Sequence, residues 1–304
     1  MDITTVVIFI KQVLATFLTL LMMMSPVSFS TGDKSYKAEN ADELVMSFAA
    51  VSDIHVETNN PKSYYAFSEL LNGIKAGENH DAVAFLGDNV MNGQIPENLF
   101  FYTAVRAVMP GKLNFVAQGN HDVGNGEGDY DTLNFNYMLN NKLFLNNEID
   151  KPYYYKVVNG CYMIFLASDI NDPGYFEMDE EQLIWLKALL DEASAAGAPI
   201  FVFNHFPVWY FGTEHNSTLS DIINKYENVL YIHGHIHNEL KQSSFYTSNG
   251  INCINLPRST EVVDYEPGDG IVVEVYDDEI LVRGRDFIKG EWVDGLEYRY
   301  SLAK

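Results

Sequence analysis

Leu113-Asn114-Phe115-Val116-Ala117-Gln118-Gly119-Asn120-His121-Asp122 runs from a short apolar segment straight into a cluster of functional side chains. Residues 113–117 have the length and the β-branched and aromatic content of a strand. The same pattern recurs along the chain. Residues 45–51 lead to Asp53-Ile54-His55, and residues 82–86 lead to Gly87-Asp88-Asn89. Residues 200–203 lead to Asn204-His205-Phe206-Pro207, and residues 229–232 lead to Gly234-His235-Ile236-His237. Helical patterns lie between these strands. Tyr64, Phe67, Leu71 and Ile74 form one apolar stripe, residues 99–109 read as a second helix, and Asp179 with Gln182 form a capping box for a helix running to about Ala196. Residues 162–167 give a further strand, and after Asn252 the pattern is all β, at 254–256, 271–275 and 280–282. This alternation predicts an α/β domain. In an open α/β sheet, functional groups gather beyond the carboxyl ends of the strands.

Carboxylates, imidazoles and an amide, with no thiolate among them, suit hard-to-borderline divalent cations such as Mn, Fe or Zn. Asp53/His55 and His235/His237 are i, i+2 pairs, whose side chains point the same way if the segment is extended. Asp88 carries two oxygens and can serve two cations. Glycines beside Asp88, Asn120 and His235 allow tight turns at the strand ends. Each motif alone is weak. Five in one order, each after a strand, are specific.

The order D-x-H, GD, GNHD, a lone His and GHxH resembles that of the calcineurin-like metallophosphoesterases, from about Val45 to His237. Residues 181–186 (EQLIWL) are similar to the family's helix before the lone ligand histidine. The resemblance implies a two-sheet β-sandwich flanked by helices on both outer faces. It implies two divalent metal ions: Asp53, His55 and His237 on the first, Asn120, His205 and His235 on the second, and Asp88 bridging. His121 would face the phosphate without binding metal, and Asp122 would orient its ring. The implied reaction is hydrolysis of a phosphate monoester or diester by a metal-bridging hydroxide, with His121 as acid or charge stabiliser. A pyrophosphatase acting on a nucleotide-diphospho substrate would use the same site, and a binding scaffold without catalysis would not need the whole set. The purple acid phosphatases carry a Tyr three residues after the bridging Asp, and GNHE. Here Met91 and Asp122 stand at those positions, so a tyrosinate-bound ferric site is not expected. The motifs most resemble those of class III cyclic nucleotide phosphodiesterases.

Composition sets the bounds. The 304 residues are 47% hydrophobic and 20% charged, which excludes a disordered or collagen-like chain. With 19 Lys and Arg against 42 Asp and Glu, the net charge of -23 repels duplex nucleic acid, and a small phosphorylated substrate is the expected partner. Cys161 and Cys253 both lie in strand patterns, which leaves a bridge or two buried thiols.

Residues 13–24 are apolar, follow Lys11 and precede the small residues of 25–30. That order suits a secretory signal peptide with a mature start at Thr31, hence an exported or cell-envelope protein. An uncleaved anchor over residues 6–24 is the rival reading and the only expected membrane contact; a buried N-terminal helix is the third. Residues 31–42 read as a polar linker and 43–304 as one phosphoesterase domain.

The remaining features are weaker. His80 reads as a solvated turn residue, His215 as surface, and His233 as a packing or hydrogen-bonding residue. Residues 124–131 (GNGEGDYD) read as a solvated loop or lid. Phe206, Trp209, Tyr210 and Phe211 either pack the loop or offer a platform to a flat leaving group. Arg258, just after a strand, makes a surface ion pair or grips an anion.

Overall fold

A computed structural model describes residues 34–78, 80–125, 129–167, 169–172, 175–210, 219–260 and 268–303. Residues 1–30, Phe211, His215 and the middle of the glycine-rich loop lie outside that set.

The elements in chain order are β1 (Met46–Val51), α1 (Pro61–Lys75), β2 (Ala82–Leu86), α2 (Ile95–Val108), β3 (Leu113–Ala117), α3 (Tyr130–Leu145), β4 (Tyr154–Val158) and β5 (Cys161–Phe165). A small hairpin of β6 (Asp169–Asp172) and β7 (Tyr175–Glu177) precedes α4 (Glu180–Ala195). Then follow β8 (Ile200–Phe203), β9 (Val229–His233), β10 (Phe245–Ser248), β11 (Ile251–Asn255), β12 (Asp269–Val275), β13 (Glu279–Asp286) and β14 (Glu291–Ser301).

Two six-stranded sheets form, ordered β14-β13-β12-β1-β2-β3 and β10-β11-β9-β8-β5-β4. β1, β2 and β3 are parallel, and so are β5, β8, β9 and β11. Of these, β1, β2, β5, β8 and β9 are buried along their whole length, which is why they read as apolar runs instead of alternating ones. Between the sheets, Phe48 meets Phe201 edge-on with ring centres 4.9 Å apart, and Phe165 stacks on Phe203 at 4.6 Å. On the outer face of the first sheet, Phe67 of α1 stacks on Phe101 of α2 at 5.2 Å, over Phe85 of β2. On the outer face of the second, Leu186 and Leu190 of α4 join Ile164 and Val202. The four layers are helix, sheet, sheet, helix, as expected.

Several local expectations change. Asp179 does cap α4, accepting from Glu181 N at 3.2 Å, but Gln182 does not complete a capping box. Its amide instead pairs with both the N–H and the carbonyl of Ala167 at 2.8 Å, tying the helix to the end of β5. The stretch read as a linker from 31 to 42 is, from Lys34 on, a strap on the domain. Tyr36 is buried between Phe287 and Trp292, with Arg285 4.4 Å over its ring. His80 is buried, not solvated. Tyr36 hydroxyl meets its Nε2, Ser47 Oγ lies 3.0 Å from its Nδ1, and Lys112 donates to its carbonyl. Burial, with Lys112 and Arg285 nearby, pushes its pKa down to about 3.

Helix α3 and strand β14 were not foreseen. The buried side of α3 is Asn134, Tyr137 and Asn141, so it lacks an apolar stripe. Hydrogen bonds add to the packing of Met138, Phe144 and Leu145: Gln118 donates to Asn134, Asn141 to Tyr102, and Tyr137 to the Val116 carbonyl. β14 is an edge strand with little buried besides Leu296. Among the described residues no helix is long and apolar enough to cross a membrane.

Candidate metal centre

The five motifs meet at one edge of the sandwich, because β1, β2, β3, β8 and β9 all end there. They do not meet by the extended geometry expected of i, i+2 pairs. Asp53, His55, Asp88, His235 and His237 have φ of 55°, 48°, 49°, 70° and 55°, all left-handed. The other described non-glycine residues with positive φ are all Asn, the side chain that tolerates this region best. Each left-handed ligand costs on the order of 1–3 kcal/mol and persists only if its surroundings over-determine it. Cross-stitching bonds do so: Asp53 N donates to Gly87 O at 3.0 Å, His55 N to Asp88 O at 2.8 Å and Gly234 N to His205 O at 3.0 Å. His121 N donates to Asp88 Oδ1 at 2.8 Å, and His235 N to Asp53 Oδ2 at 3.1 Å.

The glycines act differently from expectation too. Of Gly87, Gly119 and Gly234, only Gly87 turns with a left-handed φ, 84°. A Cβ at Gly119 would fall on the Asp88 carboxylate, and one at Gly234 on the Ser52 hydroxyl and Asp53 carboxylate. At both positions hydrogen is the only substituent that fits.

Two groups of ligand atoms form, each within 4.8 Å: Asp53, His55, Asp88 and His237 in one, Asp88, His205 and His235 in the other. Asp88 belongs to both. His237 Nε2 is 2.8 Å from Asp53 Oδ1, His55 Nε2 is 3.6 Å from Asp88 Oδ2, and His205 Nε2 is 3.2 Å from Asp88 Oδ2. His205 Nδ1 donates to the Leu86 carbonyl at 2.9 Å, so in the neutral ring Nε2 is the nitrogen whose lone pair faces the cluster. Asn120 Nδ2 donates to Asn125 Oδ1 at 2.9 Å, which leaves Asn120 Oδ1 buried without a hydrogen bond. A buried amide oxygen in that state fits a cation. Nitrogen and oxygen donors without thiolate fit Mn, Fe or Zn.

The protonation states also suit ligands. Burial alone would raise the Asp53 and Asp88 carboxyls, but the surrounding imidazoles pull Asp53 well below the usual range and Asp88 to about 2. Burial lowers His55, and burial with the His205 charge takes His235 to about 4. His205 goes the other way: against burial, Asp88 and Asp53 lift it to about 9, so a cation must displace its proton.

His121 lies at the rim, with 21% of its side chain exposed and Nε2 4.0 Å from Asp88 Oδ2. Its ring is not held by Asp122. Nδ1 lies 2.6 Å from the Met91 carbonyl. Asp122 turns the other way and accepts from Asn89 N (3.0 Å), Asn89 Nδ2 (3.1 Å), Val90 N (3.1 Å) and Gly119 N (2.8 Å). Its carboxylate locks the Gly87–Val90 and Gly119 turns together because these turns present four donors to it.

The other singled-out residues also find places. Phe206 is buried, with its ring 5.0 Å from that of His205 and 4.8 Å from that of His235, so it supports the ligands; Trp209 is half exposed. His233 is buried, its Nδ1 3.0 Å from the Gly234 carbonyl and its Nε2 2.6 Å from the Tyr246 hydroxyl. Cys161 and Cys253 are free thiols, and burial pushes both up to about 12. Sequence reasoning missed the parts played by the Met91 carbonyl, by Asn125 and by Ser52, whose Oγ donates to Asp53 Oδ2 at 2.6 Å. The only signal was at Asn125, an Asn between two glycines five residues after a ligand.

A model of the calcineurin-like phosphoesterase family matches residues 46–239, a stretch that holds every ligand named above. The chain belongs to that family and is a hydrolase of phosphoester bonds. Among solved structures it is similar to a dimetal phosphatase from Danio rerio, at 16% identity and a TM-score of 0.59, over 86% of this chain and 100% of that one. It also matches a conserved uncharacterised protein from Streptococcus pneumoniae, at 12% identity and a TM-score of 0.42, over 84% and 97% of the two chains. At 16% identity, the likeness to the first speaks for the fold. No curated protein matches the chain in sequence.

Proposed function

We propose that this chain hydrolyses a small phosphate ester at a pair of divalent cations, with His121 serving the leaving group. Asp53, His55 and His237 hold one cation, Asn120, His205 and His235 hold the other, and Asp88 joins them. The observation that carries this reading is the double membership of Asp88, whose carboxylate lies within ligand distance of both groups. Bound there, the cations supply an activated water and neutralise charge on the phosphate. The chain's own residues do the rest. The Met91 carbonyl accepts a hydrogen bond from Nδ1–H of His121, so Nε2 is the nitrogen that meets the departing oxygen and gives it a proton or balances its charge. Gly87, Gly119 and Gly234 keep the floor close enough for seven side chains to converge.

Protein reconstituted in turn with Mn, Fe and Zn, and assayed on p-nitrophenyl phosphate, its bis ester, cyclic AMP and a UDP-sugar, tests the reading. Turnover that disappears on chelation and returns with metal supports it. Absence of turnover on all of them, with two metals bound, overturns it. Hydrolysis of the UDP-sugar alone favours a pyrophosphatase. We further propose export, on the apolar run at 13–24; recovery of intact Met1 in a soluble cytoplasmic fraction would count against it.

A further inference from the structure

Helices α1, α2 and α3 form one outer layer. Phe67 of α1 stacks on Phe101 of α2, and Arg106 of α2 donates to the Phe144 carbonyl of α3 at 3.0 Å. The amides of Asn134 and Asn141 turn inward on α3, while Phe135, Leu139 and Leu143 stand outward at i, i+4 and i+8, in one row along the helix. On α2, Ile95 and Leu99 are exposed one turn apart. Phe135, Leu143 and Ile95 show 59%, 60% and 56% of their surface, too much for any of them to be packed into the domain's own core.

The charges on this side are equally out of character. The exposed charged residues of the three helices are Lys62, Lys75, Arg106 and Lys142, against Asp131 alone. Lys142 also reaches the exposed Glu148 just past α3, a pair worth little in water. In a chain with 42 acidic and 19 basic residues, this face reverses the overall sign. On the opposite outer face, α4 exposes Glu180, Glu181, Asp191 and Glu192 against Lys187. Adjacent layers stack about 10 Å apart, which puts α4 roughly 30 Å behind the α1–α3 layer. Salt screens charges beyond about 8 Å, so those acids hardly act on a surface that the basic side touches.

Apolar side chains set among Lys and Arg, with almost no acid, are the composition that holds a folded surface to anionic headgroups. The layout of the chain favours a bilayer over a second copy as the occupant. The apolar run at 13–24 is followed by nine residues, 25–33, before Lys34. The Lys34 ammonium pairs with Glu69 of α1 at 3.2 Å, so the chain joins the domain on the flank of this same layer. Nine residues reach at most about 30 Å, less than the way round to α4. A bilayer that receives residues 13–24, for export or as an anchor, therefore meets the basic layer before the acidic one.

We propose that the outward side of α1, α2 and α3 docks on an anionic lipid bilayer, with its apolar rows in the headgroup layer and its basic side chains on lipid phosphates. The docking stands apart from the reaction at the metal pair, and either holds without the other.

The test is lysine acetylation read by mass spectrometry, on the protein as its host makes it. The protein is mixed with vesicles of phosphatidylglycerol and phosphatidylcholine, or of phosphatidylcholine alone. On the anionic vesicles Lys62 and Lys75 should react about 5–10-fold more slowly, with Lys187 on α4 unchanged as the internal control. On phosphatidylcholine alone the protection should stay below about 2-fold. Phe135→Ser combined with Leu143→Ser, both at exposed positions, should abolish the protection. Arg106→Gln should raise the anionic lipid needed for half-protection about 5-fold, the effect of one basic group at such a surface. Should the double Ser variant unfold, Arg106→Gln carries the test. Absence of protection on both kinds of vesicle overturns the proposal. Equal protection on phosphatidylcholine alone overturns it as well, since lipid charge would then play no part. Equal protection of Lys187 does the same, because the protein would then have no preferred face. Protection that appears without lipid and grows with protein concentration would make a second copy the occupant in place of the bilayer.

Discussion

The Nδ1 atom of His121 sits 2.6 Å from the carbonyl oxygen of Met91, a backbone group thirty residues earlier in the chain. That contact fixes which ring nitrogen looks outward. It also frees Asp122 for a different task. The two neighbours in the GNHD motif therefore separate, one toward chemistry and one toward architecture.

His121→Ala should leave metal content unchanged, since neither ligand group includes His121. Turnover should fall about 10²–10⁴-fold, the usual range for a positioned acid or charge stabiliser. The loss should be larger on an alkyl ester than on a nitrophenyl one, whose leaving group departs without a proton. Steady-state rates on both esters, with metal content assayed alongside, check this. A variant that loses a metal makes His121 a ligand.

Asp122→Ala should behave in the opposite way. It strands four donors in a part-buried setting, which should cost about 1–3 kcal/mol of stability. Metal affinity should weaken too, because the Gly87–Val90 turn carries Asp88. Urea midpoints and metal titration test this. An unchanged midpoint would show that the carboxylate does not brace the turns.

Asp88→Asn should empty both positions together, because one carboxylate serves both. Elemental analysis should show loss of more than one equivalent of metal. Two metals still bound would contradict the bridging assignment.

His80 sets a pH dependence of folding. Its pKa in the fold is about 3, below the ordinary 6.5, because burial disfavours the charged ring. Below pH 6.5 the unfolded chain takes a proton that the folded chain refuses. Its contribution is thus complete above 6.5 and lost as pH falls toward 3, by about 1.4 kcal/mol per pH unit at most. His80→Gln should flatten this part of the stability curve. Denaturant midpoints at neutral pH and at about pH 4.5 measure it, and identical slopes in both proteins would rule the mechanism out.

The parts of this molecule that could be read in advance share a property. β1, β2, β8 and β9 are buried along their whole length, and β3 all but its first residue, so each announces itself as an apolar run that stops at a motif. The ligands were legible because metal chemistry restricts side-chain type. α3 was not, since Asn134 and Asn141 turn inward on hydrogen bonds and erase the apolar period. Gln182 satisfied a capping pattern and was used for a longer-range bond to Ala167. The Met91 carbonyl could not have been found at all, because every residue has one. Nor could the left-handed turns at Asp53 and His55, since Asp and His are not residue types that demand them.

Those turns have a consequence for how such a protein can diverge. Among the five left-handed ligand positions, Asp53, His55, Asp88 and His235 are cross-linked by one another's and their neighbours' amides, carbonyls and carboxylates. A lineage that abandoned the chemistry would gain from relaxing them, because glycine accepts that backbone with no Cβ penalty. Selection for rigidity and selection for turnover therefore pull this edge of the sandwich in opposite directions. A stabilised descendant would erode first at Asp53, His55, Asp88, His235 and His237, while the aromatic interior stayed as it is.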